Sequence, residues 1–474
     1  MSYSTGSVAG VSQVGGLVGA NAGGSWMSDA MVQGSYSSGR ITGNTDVGGL
    51  IGHNEYHVTM SYWDVESSGE PNMCGSQGEW ATGCDPNYGK TTAEMKQQAT
   101  FEGWDFVGEI ENSPNDVWKI VEGKTYPLLS WQKYGGGTGE PNDPYLIYTA
   151  EHLNELGAEP NDYDKHFKLM ADIDLSEYTY DKAVIAQDMN DIENGFQGTV
   201  FVGTFDGNGY VIRNLHIKGH EYLGLFGELG ASARVSNLGL RSVDVVGISR
   251  VGGVVGRNRG EIATNYSTGK VTGYCYVGGL VGFNNHGIIT SCYSTGSVSG
   301  DHSVGGLVGI NESEVGITSS YSNSTVSGNL SVGGLVGHNY EKGSITTSYS
   351  TGMISGDLDV GGLVGYNLGS ITDSYSTCSV IGNWAGGLVG SDRYWNGGEY
   401  RGSTTTSFWD IQISGQETSS GGTGLTTVEM QIATTFLEAD WDFVDEVTNG
   451  TDDIWWIDEG NDYPRLWWEL IPEN

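Results

Sequence analysis

Apolar and polar positions along this chain follow no helical period over any long stretch; short runs of Val, Ile, Leu and Tyr alternate with clusters of Gly, Asn, Asp and Ser. That texture predicts strands separated by turns. One six-residue pattern, Val-Gly-Gly-Leu-Val-Gly with conservative changes, stands at Val14–Gly19, Val47–Gly52, Val251–Gly256, Val277–Gly282, Val304–Gly309, Val332–Gly337, Val360–Gly365 and Ala385–Gly390. From Val251 the copies follow at spacings of 26, 27, 28, 28 and 25 residues, and a near-constant period of this size marks a solenoid coil. Each unit reads as three short strands, as in Val332–Asn339, Ile345–Ser350 and Thr351–Gly356. The predicted fold is all-β: a parallel β-helix, or β-solenoid, because a propeller blade needs about 40 residues or more.

Coils that rise about 4.8 Å each place like positions above one another. Tyr266, Tyr293, Tyr321, Tyr349 and Tyr375 are expected to form an aromatic column, and Asn258, Asn284, Asn311, Asn339 and Asn367 an amide ladder. A second duplicated pattern interrupts the repeats. Ser61-Tyr62-Trp63-Asp64 leads through Thr91/Glu94 and Trp104-Asp105-Phe106 to Tyr126-Pro127-Leu128; Ser407-Phe408-Trp409-Asp410 leads through Thr426/Glu429 and Trp441-Asp442-Phe443 to Tyr463-Pro464-Arg465. Both Thr-x-x-Glu spacings are capping boxes, each predicting one short helix. Tryptophan-rich and placed after the last repeat each time, the module reads as a small α/β cap over the open coil edge. Gly135–Pro144 reads as a linker, Thr149–Gly157 as an amphipathic helix with Leu153 and Leu156 inward, and Phe167–Leu175 and Val200–Gly209 as the first strands of an N-terminal cap. Tyr222–Gly227 reads as a degenerate first repeat. The expected division is 1–57, tail of a first solenoid; 58–134, cap module; 135–220, linker and N-terminal cap; 221–400, repeat solenoid; 401–474, second cap module. Because Ser2–Gly6 falls in the middle of a repeat, the chain is expected to be part of a longer protein.

Val304-Gly305-Gly306-Leu307-Val308-Gly309-Ile310-Asn311, together with Ser348-Tyr349-Ser350-Thr351-Gly352, resembles the GLUG motif of bacterial extracellular proteins, among them immunoglobulin-A proteases, large adhesins and many secreted planctomycete-type proteins. The resemblance implies a secreted or surface-attached β-helix used as a stalk, adhesin or binding module. In the protease relatives catalysis belongs to a separate zinc domain with a His-Glu-x-x-His motif; this sequence has no such motif, so protease activity is not carried over.

Composition sharpens this picture. The 77 glycines supply the positive φ and close backbone approach that tight corners demand. With 58 acidic against 21 basic residues the net charge is −37, which disfavours nucleic acid and anionic lipid as partners and suits a secreted protein in a salty or calcium-containing medium. No apolar stretch approaches the roughly 18 residues that cross a bilayer, so membrane insertion is not expected. Cys74 and Cys84 bracket a polar loop and are expected to close a local disulfide, favouring an oxidising compartment, while Cys275, Cys292 and Cys378 read as small buried side chains.

Candidate chemistry lies in the turns. Asp301, Asp357 and Asp359 precede the hexapeptide; carboxylates stacked at coil spacing suit calcium, or the catalytic groups of a polysaccharide hydrolase or lyase. Asn329 and Asn383 stand in comparable places, which equally suits Asx turns. The residue before the ladder asparagine varies (Arg257, Phe283, Ile310, His338, Tyr366) and is expected to face outward, as are Tyr276 and Trp384 before the hexapeptide. Aromatic side chains on a flat face offer sugar rings a stacking surface, so Phe283, His338, Tyr366, Tyr276, Trp384 and Arg257 form the candidate ligand-binding set. His53 and His57 are either a metal-ligand pair or exposed loop residues. Eight basic residues between 213 and 270 either serve an anionic glycan or balance nearby acids. The expected function is non-catalytic: an extracellular solenoid for adhesion, glycan binding or surface architecture, with a polysaccharide or cell-surface glycan as partner. A polysaccharide-degrading enzyme and a filament subunit self-associating through coil ends or caps are the alternatives.

Overall fold

The computed structural model describes residues 1–23, 30–109, 115–190, 195–393, 402–445 and 453–470, so the expected boundary at 400/401 lies outside the described residues. Two compact units result, Met1–Gly136 and Gly137–Asn474. Each is a parallel β-solenoid, with three coils in the first and ten in the second.

A coil of the second unit has four strands. In one coil these are a leading strand Leu330–Gly333, a ladder strand Val336–Asn339, an isoleucine strand Ser344–Thr346 and a long tyrosine strand Tyr349–Gly356. Like strands stack in register from coil to coil, giving sheets of seven, seven, ten and eleven strands. Three strands per coil were expected, and the difference has a local cause. The run Val332–Asn339 is split where the chain bends at Gly334 and Leu335, and a left-handed corner at Thr347, φ 45°, ends the isoleucine strand inside the run Ile345–Ser350. The hexapeptide itself is a bend between two strands. There a Cβ on Gly333 would lie 2.0 Å from the Val336 carbonyl oxygen, so leading and ladder strands pack backbone to backbone.

Inside, Val332, Leu335, Val336, Ile345 and Ile354 are buried, as are their counterparts in neighbouring coils. Each such side chain contributes about 1.5–3 kcal/mol as an upper bound. The asparagine ladder is continuous: each Nδ2 from Asn258 to Asn339 donates to the next Oδ1 at 2.8–2.9 Å, and Asn284 and Asn339 also donate to the carbonyls of Gly287 and Gly343. The tyrosine column from Tyr266 to Tyr375 stacks with centroids 4.9–5.0 Å apart.

At the start of the second unit, Tyr145–Ile147, His166–Leu169 and Thr204–Asp206 join the isoleucine sheet, so the segment expected to form a cap supplies coils of the same stack. Helix Ala150–Ala158 buries Leu153 and Leu156 as its periodicity predicts. Tyr222 takes the left-handed corner, and Leu223 pairs with Val251.

The two tryptophan-rich modules do more than add a strand at the coil edge. In the second, Met430, Phe436, Trp441, Phe443, Trp455 and Leu466 pack against Tyr349, Tyr375 and Phe408. In the first, Met95, Phe101, Trp104, Phe106 and Trp118 pack against Tyr36 and Tyr62. One short helix per module was expected at the capping box. Both boxes form, with Glu94 and Glu429 accepting from the Thr91 and Thr426 backbone N–H at 2.8 Å. Each opens only a 3-10 turn, and a separate helical turn, Val65–Ser68 or Ile411–Ser414, starts from Asp64 or Asp410 as N-cap.

Cys74 and Cys84 are disulfide-bonded. Cys292 and Cys378 are buried, with burial pushing their thiols up to about 12 and about 11, whereas Cys275 is only half-buried.

Candidate functional site

One lateral face of the second unit gathers most of the predicted ligand-binding set. Two columns meet there. A corner column, Tyr222, Arg250, Tyr276, Ser303, Ser331 and Asp359, has φ of 52–57° throughout. Beside it runs the pre-ladder column of Glu228, Arg257, Phe283, Ile310, His338, Tyr366 and Ser391. The pre-ladder column was expected to be an open face. It is instead packed against its neighbour: Ile310 and Tyr366 are buried, and Arg257, Phe283 and His338 are half-buried. The cause is the glycine that precedes each of them. With no side chain between the strands, the columns close on each other; a Cβ on Gly337 would sit 2.5 Å from the Ser303 backbone.

At one end the face is ionic and aromatic. Arg257 pairs with buried Glu228 at 2.5 Å, and the guanidinium carbons of Arg250 and Arg257 lie 4.8 and 5.2 Å from the Tyr222 ring centroid. Arg250 also pairs with Glu221 at 2.7 Å, and Arg213 and Arg234 each hold a carboxylate, so much of the basic segment is paired with nearby acids. Tyr276 and Phe283 rings are 6.2 Å apart. At the other end, His338 stacks on Tyr340 at 4.0 Å and meets Tyr366 edge-on at 4.7 Å. Burial lowers the His338 imidazole to about 3, so it is neutral at physiological pH, and its Nε2 has no hydrogen-bond partner among the described residues. Asp359 is buried beside Ser391; burial, which outweighs the serine hydrogen bond, raises its carboxyl to about 6, and its Oδ2 has no partner among the described residues.

The three candidate acids do not converge. Asp301 and Asp357 belong to a turn column with Asn329 between them, whose amide donates to Asp301; His302 Nδ1 lies 2.6 Å from Asp301. Asp359, two residues further on, belongs to the corner column. The expected calcium set therefore does not assemble, and no cluster of three or more His, Cys, Asp or Glu suited to a metal occurs among the described residues. Tyr276 stands in the corner column, one position after the column of Cys275, His302, Leu330 and Leu358. Trp384 is 68 % exposed. His53 and His57 are engaged laterally by Ser76 and Thr82, each at 2.7 Å.

A cleft that the sequence did not point to lies along the tyrosine sheet. It has a volume of about 370 Å³, with Thr351 and its column neighbours on one side and Asp462, Arg465 and Glu469 of the second module on the other. Its signal was available in the duplication: Asp462, Arg465 and Glu469 stand where the first module has Thr125, Leu128 and Gln132.

Fold and surface together define a repeat protein of the parallel β-solenoid class. Three of its coils, 273–299, 328–355 and 356–381, match the GLUG motif, so the chain carries GLUG repeats. It is 36 % identical over 151 residues to "Halomucin" of Haloquadratum walsbyi, covering 31 % of this chain and 2 % of that protein. It is 35 % identical over 134 residues to a "Putative Gly-rich membrane protein" of Evansella cellulosilytica, covering 27 % and 15 %. The matches thus span a small part of either relative's length. Among solved structures, a "putative immunoglobulin A1 protease" from Bacteroides ovatus aligns with TM-score 0.47 and 19 % identity over 71 % of this chain and 95 % of that one. An "IgA1 Protease" aligns with TM-score 0.43 and 16 % identity over 70 % and 27 %. No helix among the described residues is long and apolar enough to cross a membrane.

Proposed function

We propose that this chain is a non-catalytic β-solenoid that works outside the cell, binding polysaccharide or cell-surface glycan in adhesion or surface architecture. The observation that carries the reading is repetition on the surface. Outward side chains recur once per coil in registered columns, such as Thr295, Asn323 and Thr351 on the tyrosine sheet, and a lattice of this kind suits a ligand that is itself periodic. The net charge of −37, the Cys74–Cys84 disulfide and the stretch shared with Halomucin support an external, salt-tolerant setting.

A second reading, polysaccharide cleavage, is favoured by Asp359 alone, a buried carboxyl raised to about 6 near the Tyr366 ring. Co-sedimentation with insoluble and gelled polysaccharides, with and without calcium, tests both readings. Binding without new reducing ends or unsaturated products is expected. Product above a heat-killed control that disappears in Asp359→Asn establishes the second reading, and absence of binding to every polysaccharide overturns the first.

A further inference from the structure

We propose that the cleft between the tyrosine sheet and the second tryptophan-rich module is the glycan site, and that it takes an uncharged oligosaccharide lying along the solenoid axis. This rests on the glycan-binding reading above and narrows it to one place and one class of ligand.

The first argument is shape. The cleft of about 370 Å³ has one wall made by Thr295, Asn323, Thr351 and Thr377, one residue from each of four successive coils. Three strand spacings of about 4.8 Å make this row about 14 Å long, the reach of a short oligosaccharide. Its hydroxyls and amide donate and accept alike, as sugar hydroxyls do. The rims of Tyr321, Tyr349 and Tyr375 line the cleft beside this row.

The second argument is internal duplication. Two hydrogen bonds that hold the module to its tyrosine column are the same in both copies. Tyr36 donates to the Pro127 carbonyl as Tyr375 does to that of Pro464, at 2.7 and 2.5 Å. Tyr3 donates to Gln132 at 2.9 Å as Tyr349 does to Glu469 at 2.8 Å, and Gln132 and Glu469 each accept from a backbone N–H, that of Leu129 or Leu466. Glutamine therefore performs the gripping role as well as glutamate. The copies share the tyrosine that lines the cleft, Tyr126 or Tyr463, and diverge at the other three lining positions of the module: Thr125 becomes Asp462, Leu128 becomes Arg465 and Gln132 becomes Glu469. A charged wall that the grip does not need is a wall built for something else.

The third argument is charge. Arg465 donates through Nε to Asp462 at 2.8 Å and brings Nη1 to 3.9 Å from Glu469, while remaining 45 % exposed. A guanidinium flanked by two carboxylates carries no surplus positive charge for an anionic ligand. It does set donors and acceptors side by side, which fits the hydroxyl pairs of a neutral sugar.

The test uses the full chain, uncharged tetrasaccharides of glucose or mannose as probes, and a hexuronate tetramer as the charged comparison, with binding measured by titration calorimetry. Asp462→Thr/Arg465→Leu/Glu469→Gln gives the second module the residues of the first; its unfolding temperature is expected to stay close to wild type while affinity falls about 10- to 100-fold. Thr351→Trp fills the cleft from the opposite wall and is expected to abolish binding. If wild type binds polysaccharide and both variants retain full affinity, the site is elsewhere and this inference falls while the proposed function stands. Tighter binding of the hexuronate tetramer overturns the ligand class. Failure of wild type to bind any polysaccharide or probe overturns both.

Discussion

The two tryptophan-rich modules are one design placed on two stacks, and their difference shows what each part is for. In both, an aspartate starts a helical turn that ends on a left-handed glycine, Gly69 or Gly415. In both, that aspartate also accepts from a tyrosine, Tyr126 to Asp64 at 2.6 Å and Tyr463 to Asp410 at 2.8 Å. Trp104 and Trp441 donate to the carbonyls of Met60 and Thr406, which occupy left-handed corners. The copies part at their last turn. Trp468 stacks on Tyr321 at 5.7 Å and donates to the Ser319 carbonyl, whereas Trp131 is 77 % exposed. Tyr3 is the rung at the Tyr349 position, and the aromatic body of each module packs on the corresponding rungs, Tyr36 and Tyr62 in the first and Tyr349, Tyr375 and Phe408 in the second.

The largest effect is expected from the shared body. Trp104→Ala and Trp441→Ala each remove a fully enclosed indole, stacked on Trp118 at 4.4 Å and on Trp455 at 4.7 Å respectively, and should cost about 3–5 kcal/mol. Hydrogen exchange read at the Tyr36 and Tyr375 strands checks this; the comparison breaks if only one strand loses protection with its own variant.

Next come the capping aspartates. Asp64→Ala and Asp410→Ala remove an N-cap and strand a tyrosine hydroxyl, for about 2–4 kcal/mol each by the same measurement. Asp64 adds a pH signature. Burial pushes its carboxyl up, but hydrogen bonds from Thr92, Tyr126 and the Ser67 and Glu66 N–H groups outweigh that and hold it below the ordinary value of 3.8. Its stabilisation is therefore complete above that value and lost as pH falls through the lower folded-state value.

The repeat was legible because its period, its asparagines and its tyrosines all answer to stacking alone. Strand ends were not legible, because Thr347 adopts a left-handed corner and the chain bends at Gly334 and Leu335, which their residue types do not announce. Nor was the burial of Tyr366 and His338. That depends on Gly337 and Gly365 letting two strands touch, so residues read as outward are walled in by the adjacent column. Most of the aromatic set thus lies on one face, but the accessibility read from sequence was too high for buried Tyr366 and for half-buried Arg257, Tyr276, Phe283 and His338, and not for Trp384. The cleft was not legible because its two walls are at least 85 residues apart in sequence, and only the duplication links them.

Corner residues give a third comparison. Asp46 and Asp359 both take the left-handed corner before a hexapeptide, at φ 51° and 52°, but Asp46 is half-exposed and Asp359 buried. A carboxyl raised from 3.8 to about 6 by burial is costly to ionise in the folded state, so it destabilises the fold at neutral pH. The second unit should gain stability as pH falls through 6, with the gain complete below 3.8, by up to roughly 2–3 kcal/mol. Asp359→Asn should remove this slope and raise stability at pH 7, while Asp46→Asn should change it by no more than about 0.5 kcal/mol. Urea unfolding at pH 4.5 and 7, followed by exchange in each unit, decides; equal slopes for the two variants would end the distinction between the corners.

The smallest effect concerns the last turn itself. Trp468→Ala loses an indole half-buried on two tyrosines and one hydrogen bond, so it should cost about 1–2 kcal/mol and loosen exchange at Ser319 and Tyr321. Trp131→Ala removes an exposed ring and should fall within about 0.5 kcal/mol of wild type. The inequality is what carries weight, since the two residues are the same type at the same position of one duplicated module. Equal costs would mean that the module stabilises its own last turn without the column. Unequal costs in the expected order would mean that Tyr293, Tyr321 and the Ser319 carbonyl fasten the last turn of the second module.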